Sequence, residues 1–298
     1  MAPLEGEESI SSSYEKPINI DYSSKLMPEL PEVETTCSGI RPHIVEKTIA
    51  DVIIRQKQLR WPITENLKEL LLGQIIKTVS RRAKYCLLAT HKADTVIIHL
   101  GMSGSLRIVD TKQPAGKHDH VDFIFTDNTV LRFNDTRRFG AILATSEPIT
   151  QHKLISQLGP EPLSELFTGT HLHQLAKNKK TTVKSFIMDG HNVVGVGNIY
   201  ASESLFMAGI HPTRQAGRIS LKRYQKLAGC IKIVLQQAIN QGGTTLRDFV
   251  NEQGKPGYFQ QSLTVYGRAN EPCITCLSPI QQLKIAQRAS YFCAVCQK

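Results

Sequence analysis

Hydrophobic and polar positions change rhythm several times along the chain. From residue 31 to 43 the apolar Val33, Cys37 and Ile40 recur at helical spacing, Pro31 suits a first turn, and Glu32 and Glu34 complement the helix dipole. Between residues 45 and 145 that spacing gives way to short β-branched runs: TIADVIIR, QIIKTVSRR, YCLLAT, DTVIIHLG, SLRIVD, HVDFIFTD, TVLRFND and GAILAT. Separated by turn residues, these runs predict a β-sandwich or barrel. The proline-rich GPEPL at 159–163 reads as a linker, and beyond it helical patterns return near 168–178, 181–189, 199–208 and 218–241. Residues 1–26 are rich in Ser and Glu, lack periodicity and are predicted to be disordered.

The expected organisation is α+β and multidomain. A disordered leader (1–26) precedes an N-terminal β-sandwich with flanking helices (27–158), a linker (159–165), a helical domain (166–261) and a small C-terminal ribbon (262–298). Within the helical domain, HNVVGVGNIYASE at 191–203 lacks the dinucleotide fingerprint, because Tyr200 stands where that pattern needs Gly or Ala. The expectation is instead a glycine-permitted turn, Gly195 and Gly197, delivering Asn198 to the N-cap of the next helix. That makes 181–208 a helix, two-turn, helix unit, whose amides suit a phosphate or simply cap the helix.

Composition narrows the partners. No apolar run in the 298 residues approaches the roughly 20 that a membrane helix needs, and nothing at the start resembles a signal peptide. The protein is expected to stay in the compartment where it is made, without a membrane partner. Its formal charge of +10 is unevenly placed: residues 1–26 carry −3, from Glu5, Glu7, Glu8, Glu15 and Asp21 against Lys16 and Lys25, and residues 27–298 carry +13. Such a surplus attracts polyanions by counterion release, or merely gives a soluble basic surface; composition alone leaves both open.

Four of the seven cysteines form two pairs, Cys273-Ile-Thr-Cys276 and Cys293-Ala-Val-Cys296, sixteen residues apart. This is the spacing of a tetrahedral zinc site, each pair aiming two thiolates at one metal. One structural Zn2+ is the expected cofactor. Leu283 and Ile285, followed by Ser290, Tyr291 and Phe292, suggest a hairpin between the pairs, hence a zinc ribbon with Lys284, Gln287 and Arg288 near its tip. Cys37, Cys86 and Cys230 sit among apolar neighbours as core thiols.

Taken together, MPELPEVETT near the start, HLGMSGSL at 99–106, KHDHVDF at 117–123, NDTRRFG at 134–140, VVGVGNIYASESLF at 193–206, GGTTLRDF at 242–249 and the closing AQRASYFCAVCQK closely resemble bacterial formamidopyrimidine-DNA glycosylases. The resemblance runs from Met27 to Lys298. It implies a DNA repair enzyme that excises oxidised purines, chiefly 8-oxoguanine and formamidopyrimidines, from double-stranded DNA and then cuts the strand by β,δ-elimination. A monomer in the bacterial cytoplasm, associated with the nucleoid, is expected.

The resemblance also implies site residues. Pro28 matches the family's N-terminal proline nucleophile, Glu29 the acid that protonates the deoxyribose ring oxygen, and Glu32 a group holding the site's water or amine. Lys84 matches the lysine beside the lesion phosphate and Arg288 the ribbon-tip arginine assigned to δ-elimination. His118, Arg137, Lys179 and Asn198 match DNA-contacting positions, with the KNKK run allowing Lys179 a shift by one. Met102, Arg137 and Phe139 match three side chains that fill the space left by the extruded base. The glycine-rich segment at about 242–257 resembles a loop that folds over that base.

A proline joined to Met27 by a peptide bond has no nucleophilic lone pair. Translation is therefore expected to begin at Met27, or the leader to be removed; a retained leader would leave a catalytically silent, zinc-braced DNA-binding protein. The other alternative is an endonuclease VIII-like enzyme for oxidised pyrimidines. Leu30 argues against it, since that relative has Gly at this position.

Overall fold

The computed structural model describes residues 28–242 and 263–298. The expected leader, Met27 and nearly all of the loop expected at about 242–257 lie outside the described residues.

The chain opens on α1 (Leu30–Ile44), with Pro31 in its first turn and Glu32 on its buried side. Its stripe runs one turn longer than expected: Val33, Cys37, Ile40 and Ile44 are all within 1% of full burial. These four pack into the core of the β domain. Leu30, three residues before Val33, belongs instead to the core of the helical domain, so the first residues of the helix are wedged between two cores. Full burial of each such side chain contributes about 1.5–3 kcal/mol, which fixes where this N-terminus sits.

All eight β-branched runs are strands: β1 (Ile49–Ile54), β2 (Ile76–Arg82), β3 (Tyr85–Thr90), β4 (Thr95–His99), β5 (Gly104–Asp110), β6 (Asp119–Phe125), β7 (Thr129–Asp135) and β8 (Ala141–Thr145). They form two antiparallel four-stranded sheets, ordered β1-β6-β7-β5 and β2-β3-β4-β8. Of the two architectures left open by the pattern, this is the sandwich. A short helix, α2 (Leu67–Leu71), was not expected; Leu67 and Leu71, one turn apart, are fully buried.

The helical region holds α3 (Gly169–Ala176), α4 (Val183–Met188), α5 (Asn198–Ala208) and the amphipathic α6 (Leu221–Asn240). Thr168 and Thr182 cap α3 and α4 through their hydroxyls. One expectation is corrected: the N-cap of α5 is Gly197, not Asn198, which is already the first helical residue. The Gly197 carbonyl accepts the Ala201 amide, and the Asn198 side chain is freed to point elsewhere. Only Gly195 of the two turn glycines uses the left-handed region, at φ +76°.

The C-terminal ribbon is β9 (Gln281–Ile285) paired antiparallel with β10 (Arg288–Phe292) through a tight turn at Ala286 and Gln287, both at positive φ. Among the described residues its core cluster is Val265, Cys273, Ile280 and Cys293, with Ile285 and Phe292 also buried on the strands.

Candidate active site

The site forms where the start of α1, the β2–β3 turn, the start of α5 and the ribbon meet. Glu29 caps α1, and its amide donates to Glu32 Oε2 at 2.9 Å, in a capping box. Glu32 Oε1 accepts the Tyr200 hydroxyl at 2.6 Å. Glu32 thus braces Glu29 from the backbone side, a role more specific than the water or amine contact expected of it. Glu29 Oε1 accepts the Ile199 amide at 3.2 Å, from the first turn of α5. Its other oxygen, Oε2, is buried and has no hydrogen-bond partner within bonding distance among the described residues.

A carboxylate removed from water in this way resists ionisation. Burial pushes Glu29 up to about 7, against the pull of the nearby Lys84 charge and with a further push from Glu32. Pro28 precedes it, partly open to solvent. Lys84 occupies the two-residue turn between β2 and β3, next to Ala83 at φ +54°.

A second lysine was not picked out by the sequence. Lys184, in α4, is 1% exposed and donates to Ser290 Oγ at 2.7 Å and to the Ala289 carbonyl at 3.2 Å. Burial pulls it down to about 7, the Glu29 charge opposes that, and Arg288 adds to it. On sequence alone Lys184 is one more charge in a lysine-rich stretch; only the packing of β10 onto the helical domain buries it. The same Ala289 carbonyl accepts Asn198 Nδ2 at 3.0 Å, and Asn198 also donates to the Tyr266 hydroxyl at 3.3 Å. Lys184, Ser185, Met188, Asp189, Ile285 and Arg288 line a cleft of about 220 Å³ beside this cluster. Arg288 itself is exposed at the start of β10.

Met102, Arg137 and Phe139 form a neighbouring group. Met102 lies half-buried on the loop after β4, while Arg137 and Phe139 are exposed on the loop after β7, Phe139 at 45%. The Arg137 guanidinium stacks 4.7 Å from the Phe139 ring centroid. His99, half-buried and pulled down to about 4 by desolvation and then by Arg60 and Lys84, accepts the Gly101 amide at its Nδ1 (3.0 Å). His118 is half-buried near this group, its carbonyl accepting the Asp135 amide at 3.0 Å. Lys179 stands apart, exposed after α3, with its carbonyl accepting the Gly217 amide at 3.0 Å.

The four ribbon cysteines converge, their Sγ atoms all within 4.8 Å of one another. No helix among the described residues is long and apolar enough to cross a membrane.

Two family models match the chain in succession, the formamidopyrimidine-DNA glycosylase N-terminal domain over residues 27–142 and the formamidopyrimidine-DNA glycosylase H2TH domain over 158–250. The formamidopyrimidine-DNA glycosylase of Methylococcus capsulatus is 56% identical over 272 residues, covering 91% of this chain and all of the relative, and that of Marinobacter nauticus is equally similar over the same share. Among solved structures, a Lactococcus lactis Fpg variant in complex with DNA containing Fapy-dG is 32% identical, covers 91% of this chain and all of its own, and superposes with a TM-score of 0.84. Identity of this extent, carried through both the sandwich and the helical region and matched by the fold, leaves one assignment: the chain belongs to the formamidopyrimidine-DNA glycosylase family.

Proposed function

We propose that the protein is a base-excision repair enzyme, a bifunctional DNA glycosylase and abasic-site lyase that removes 8-oxoguanine and formamidopyrimidines from double-stranded DNA. The observation that carries the reading is Glu29, a buried carboxyl group raised to about 7 and adjacent in the chain to Pro28, within reach of the Lys84 charge. A carboxylic acid that is still partly protonated at neutral pH can donate where an ordinary carboxylate cannot. The Lactococcus lactis relative, held on Fapy-dG DNA, supports the substrate class.

Pro28, as a free N-terminal secondary amine, attacks C1′ of the damaged nucleotide. The bond to the base breaks and its electron pair leaves with the base, while Glu29 transfers its proton to the ring oxygen as the sugar opens. The amine proton passes to the departing base, and the freed nitrogen lone pair breaks the bond from C1′ to the ring oxygen, leaving an iminium that acidifies C2′. Removal of that proton expels the 3′ phosphate in β-elimination, and a second elimination expels the 5′ phosphate. Lys84 and Arg288 steady the flanking phosphates, with His118, Asn198 and Lys179 contacting the backbone on either side. A Pro28 nitrogen in peptide linkage to Met27 is an amide and cannot start this sequence, so the active species begins at Pro28.

Cys273, Cys276, Cys293 and Cys296 hold one structural zinc ion. Tetrahedral Zn–S bonds of about 2.3 Å imply S···S edges of roughly 3.8 Å. The Cys273–Cys296 and Cys276–Cys293 pairs, at 3.9 and 3.4 Å, fit that donor set. The enzyme acts as a monomer at the nucleoid of the bacterial cytoplasm, where its substrate lies.

The test is borohydride trapping on a duplex with 8-oxoguanine opposite cytosine, followed by mass mapping of the DNA-linked peptide. A cross-linked peptide that begins at Pro28 supports the reading. Trapping on Lys84 or Lys184, or none with a lesion duplex that is bound, would overturn it.

A further inference from the structure

We infer that Asp135 is a positioning residue that locks Met102, Arg137 and Phe139 into one rigid wedge. The inference rests on the reading of those three side chains as the group that fills the duplex when a base is extruded.

Asp135 ends β7 and is completely buried, yet no ion pair is formed by its carboxylate among the described residues. It is held by hydrogen bonds alone. Oδ1 accepts the Ser103 hydroxyl and, at 3.2 Å, the Arg137 amide. Oδ2 accepts the Gly140 amide at 2.7 Å. The Ser103 oxygen accepts the Arg137 amide as well, at 3.0 Å, closing a ring between the two loops. One carboxylate therefore grips the residue after Met102, the backbone of Arg137 and the residue after Phe139.

The backbones leave no slack for any other arrangement. Gly101 sits at φ +67°, and a Cβ there would lie 2.4 Å from the Phe139 carbonyl carbon. The main chain of Asp135 extends the clamp: His120 Nε2 donates to its carbonyl at 2.7 Å, and its amide donates to the His118 carbonyl. Wedge residues must enter a stacked duplex without folding back, and side chains carried on separate loops can do so only if the loops move as one body.

Asp135→Asn tests this, since the amide NH2 must face either the Gly140 N–H or the Ser103 and Arg137 donors, breaking one arm. Ser103→Ala cuts one arm and keeps the carboxylate, so it serves if the Asn variant does not fold. Two single-turnover reactions are compared: excision of 8-oxoguanine paired with cytosine, and cleavage at a preformed abasic site, where no base needs extruding. The expected result is a loss of roughly tenfold to a hundredfold in excision, with abasic-site cleavage changed less than threefold. Met102→Ala, costly in the wild-type background, should then add little in the Asp135→Asn background. Equal losses on both substrates would make Asp135 a merely structural residue, and unchanged excision would remove it from the wedge; either overturns the inference while leaving the enzyme reading intact. If Met102→Ala and Phe139→Ala cost nothing in the wild-type background, the wedge reading itself fails.

Discussion

The carboxyl carbon of Glu29 lies 2.0 Å from the place a Cβ would occupy on Gly197. The Gly197 backbone, at φ −102° and ψ −159°, suits any residue, so the glycine is there for space and not for conformational freedom. Gly197→Ala would drive the Glu29 carboxyl off the Ile199 amide. We expect single-turnover excision to fall about 100-fold, the scale of a misplacement near 1 Å, while lesion-duplex binding and zinc content stay close to wild type. Retained excision in this variant would mean that the acid lies elsewhere.

The pH dependence follows from two neighbouring groups needed in opposite protonation states. Glu29 must be protonated to act as an acid, and with a value of about 7 it loses that form as pH rises. The Pro28 amine must be neutral, which for an α-amino group means pH near or above about 8. The excision rate is therefore expected to be bell-shaped with its optimum between about 7 and 8, and Glu29→Gln should abolish the alkaline limb.

Stability should carry the same signature. Between 4.5 and about 7 the folded Glu29 holds more proton than the unfolded chain does, so stability declines as pH rises across that window. Lys184, moved from 10.5 to about 7, holds less proton when folded, so its contribution rises with pH across the window from about 7 to 10.5. Denaturation series on Glu29→Gln and Lys184→Met should each lose one of these slopes and keep the other. A variant with the wild-type profile would show that its group does not carry the shift.

The contrast between Val33 and Leu30 shows what a sequence makes legible. Val33, Cys37 and Ile40 announce a buried helix face by spacing, just as the eight β-branched runs announce strands and the paired cysteines announce a metal, because each pattern is local. That Leu30 belongs to the other core depends on its contact with Gly195, 165 positions along the chain, and no periodicity records such a pairing. Lys184 and Asp135 are illegible for the same reason. A lysine in KNKKTTVK looks solvated until β10 covers it, and the aspartate of NDTRRFG looks like a turn residue until Ser103 and Gly140 are seen to share it. Asn198 is by type the better capping residue, yet Gly197 holds that place, because Glu29 occupies the volume where any larger residue would sit.

Metal removal should disconnect the ribbon without unfolding the rest. Among the described residues the ribbon's core cluster is Val265, Cys273, Ile280 and Cys293, two of them cysteines of the candidate metal site, with Ile285 and Phe292 beside it, a small apolar core to hold β9 and β10 together unaided. Cys276→Ser is expected to lower zinc content, loosen the turn that carries Arg288, and weaken binding to undamaged duplex with a shallower salt dependence. Arg288→Ala alone should reduce the salt slope by about one counterion while leaving zinc bound. An unchanged slope in Arg288→Ala would show that this arginine touches no phosphate.

Glu161, in the linker, reaches across to the turn that carries Lys84. Its Oε1 accepts the Ala83 amide at 2.7 Å and Arg82 at 2.9 Å, and its Oε2 accepts Arg81 at 2.6 Å; Arg81 in turn reaches Glu34 on α1 at 2.8 Å. Ala83 is left-handed without being a glycine, a conformation that costs about 1–2 kcal/mol and persists where surroundings hold it. Glu161 is the group that holds it, so Glu161→Ala should relax the turn, displace Lys84 and lower abasic-site cleavage about tenfold. Burial pushes the Glu161 carboxyl up, but Arg81, the Ala83 amide and Arg82 outweigh it and hold it below the usual 4.5. The clamp is thus fully present above that value and is lost as pH falls through the lowered one, so wild type should lose stability in acid more steeply than Glu161→Ala. Parallel acid-denaturation curves for the two proteins would show that the clamp contributes nothing to holding the linker against the β domain.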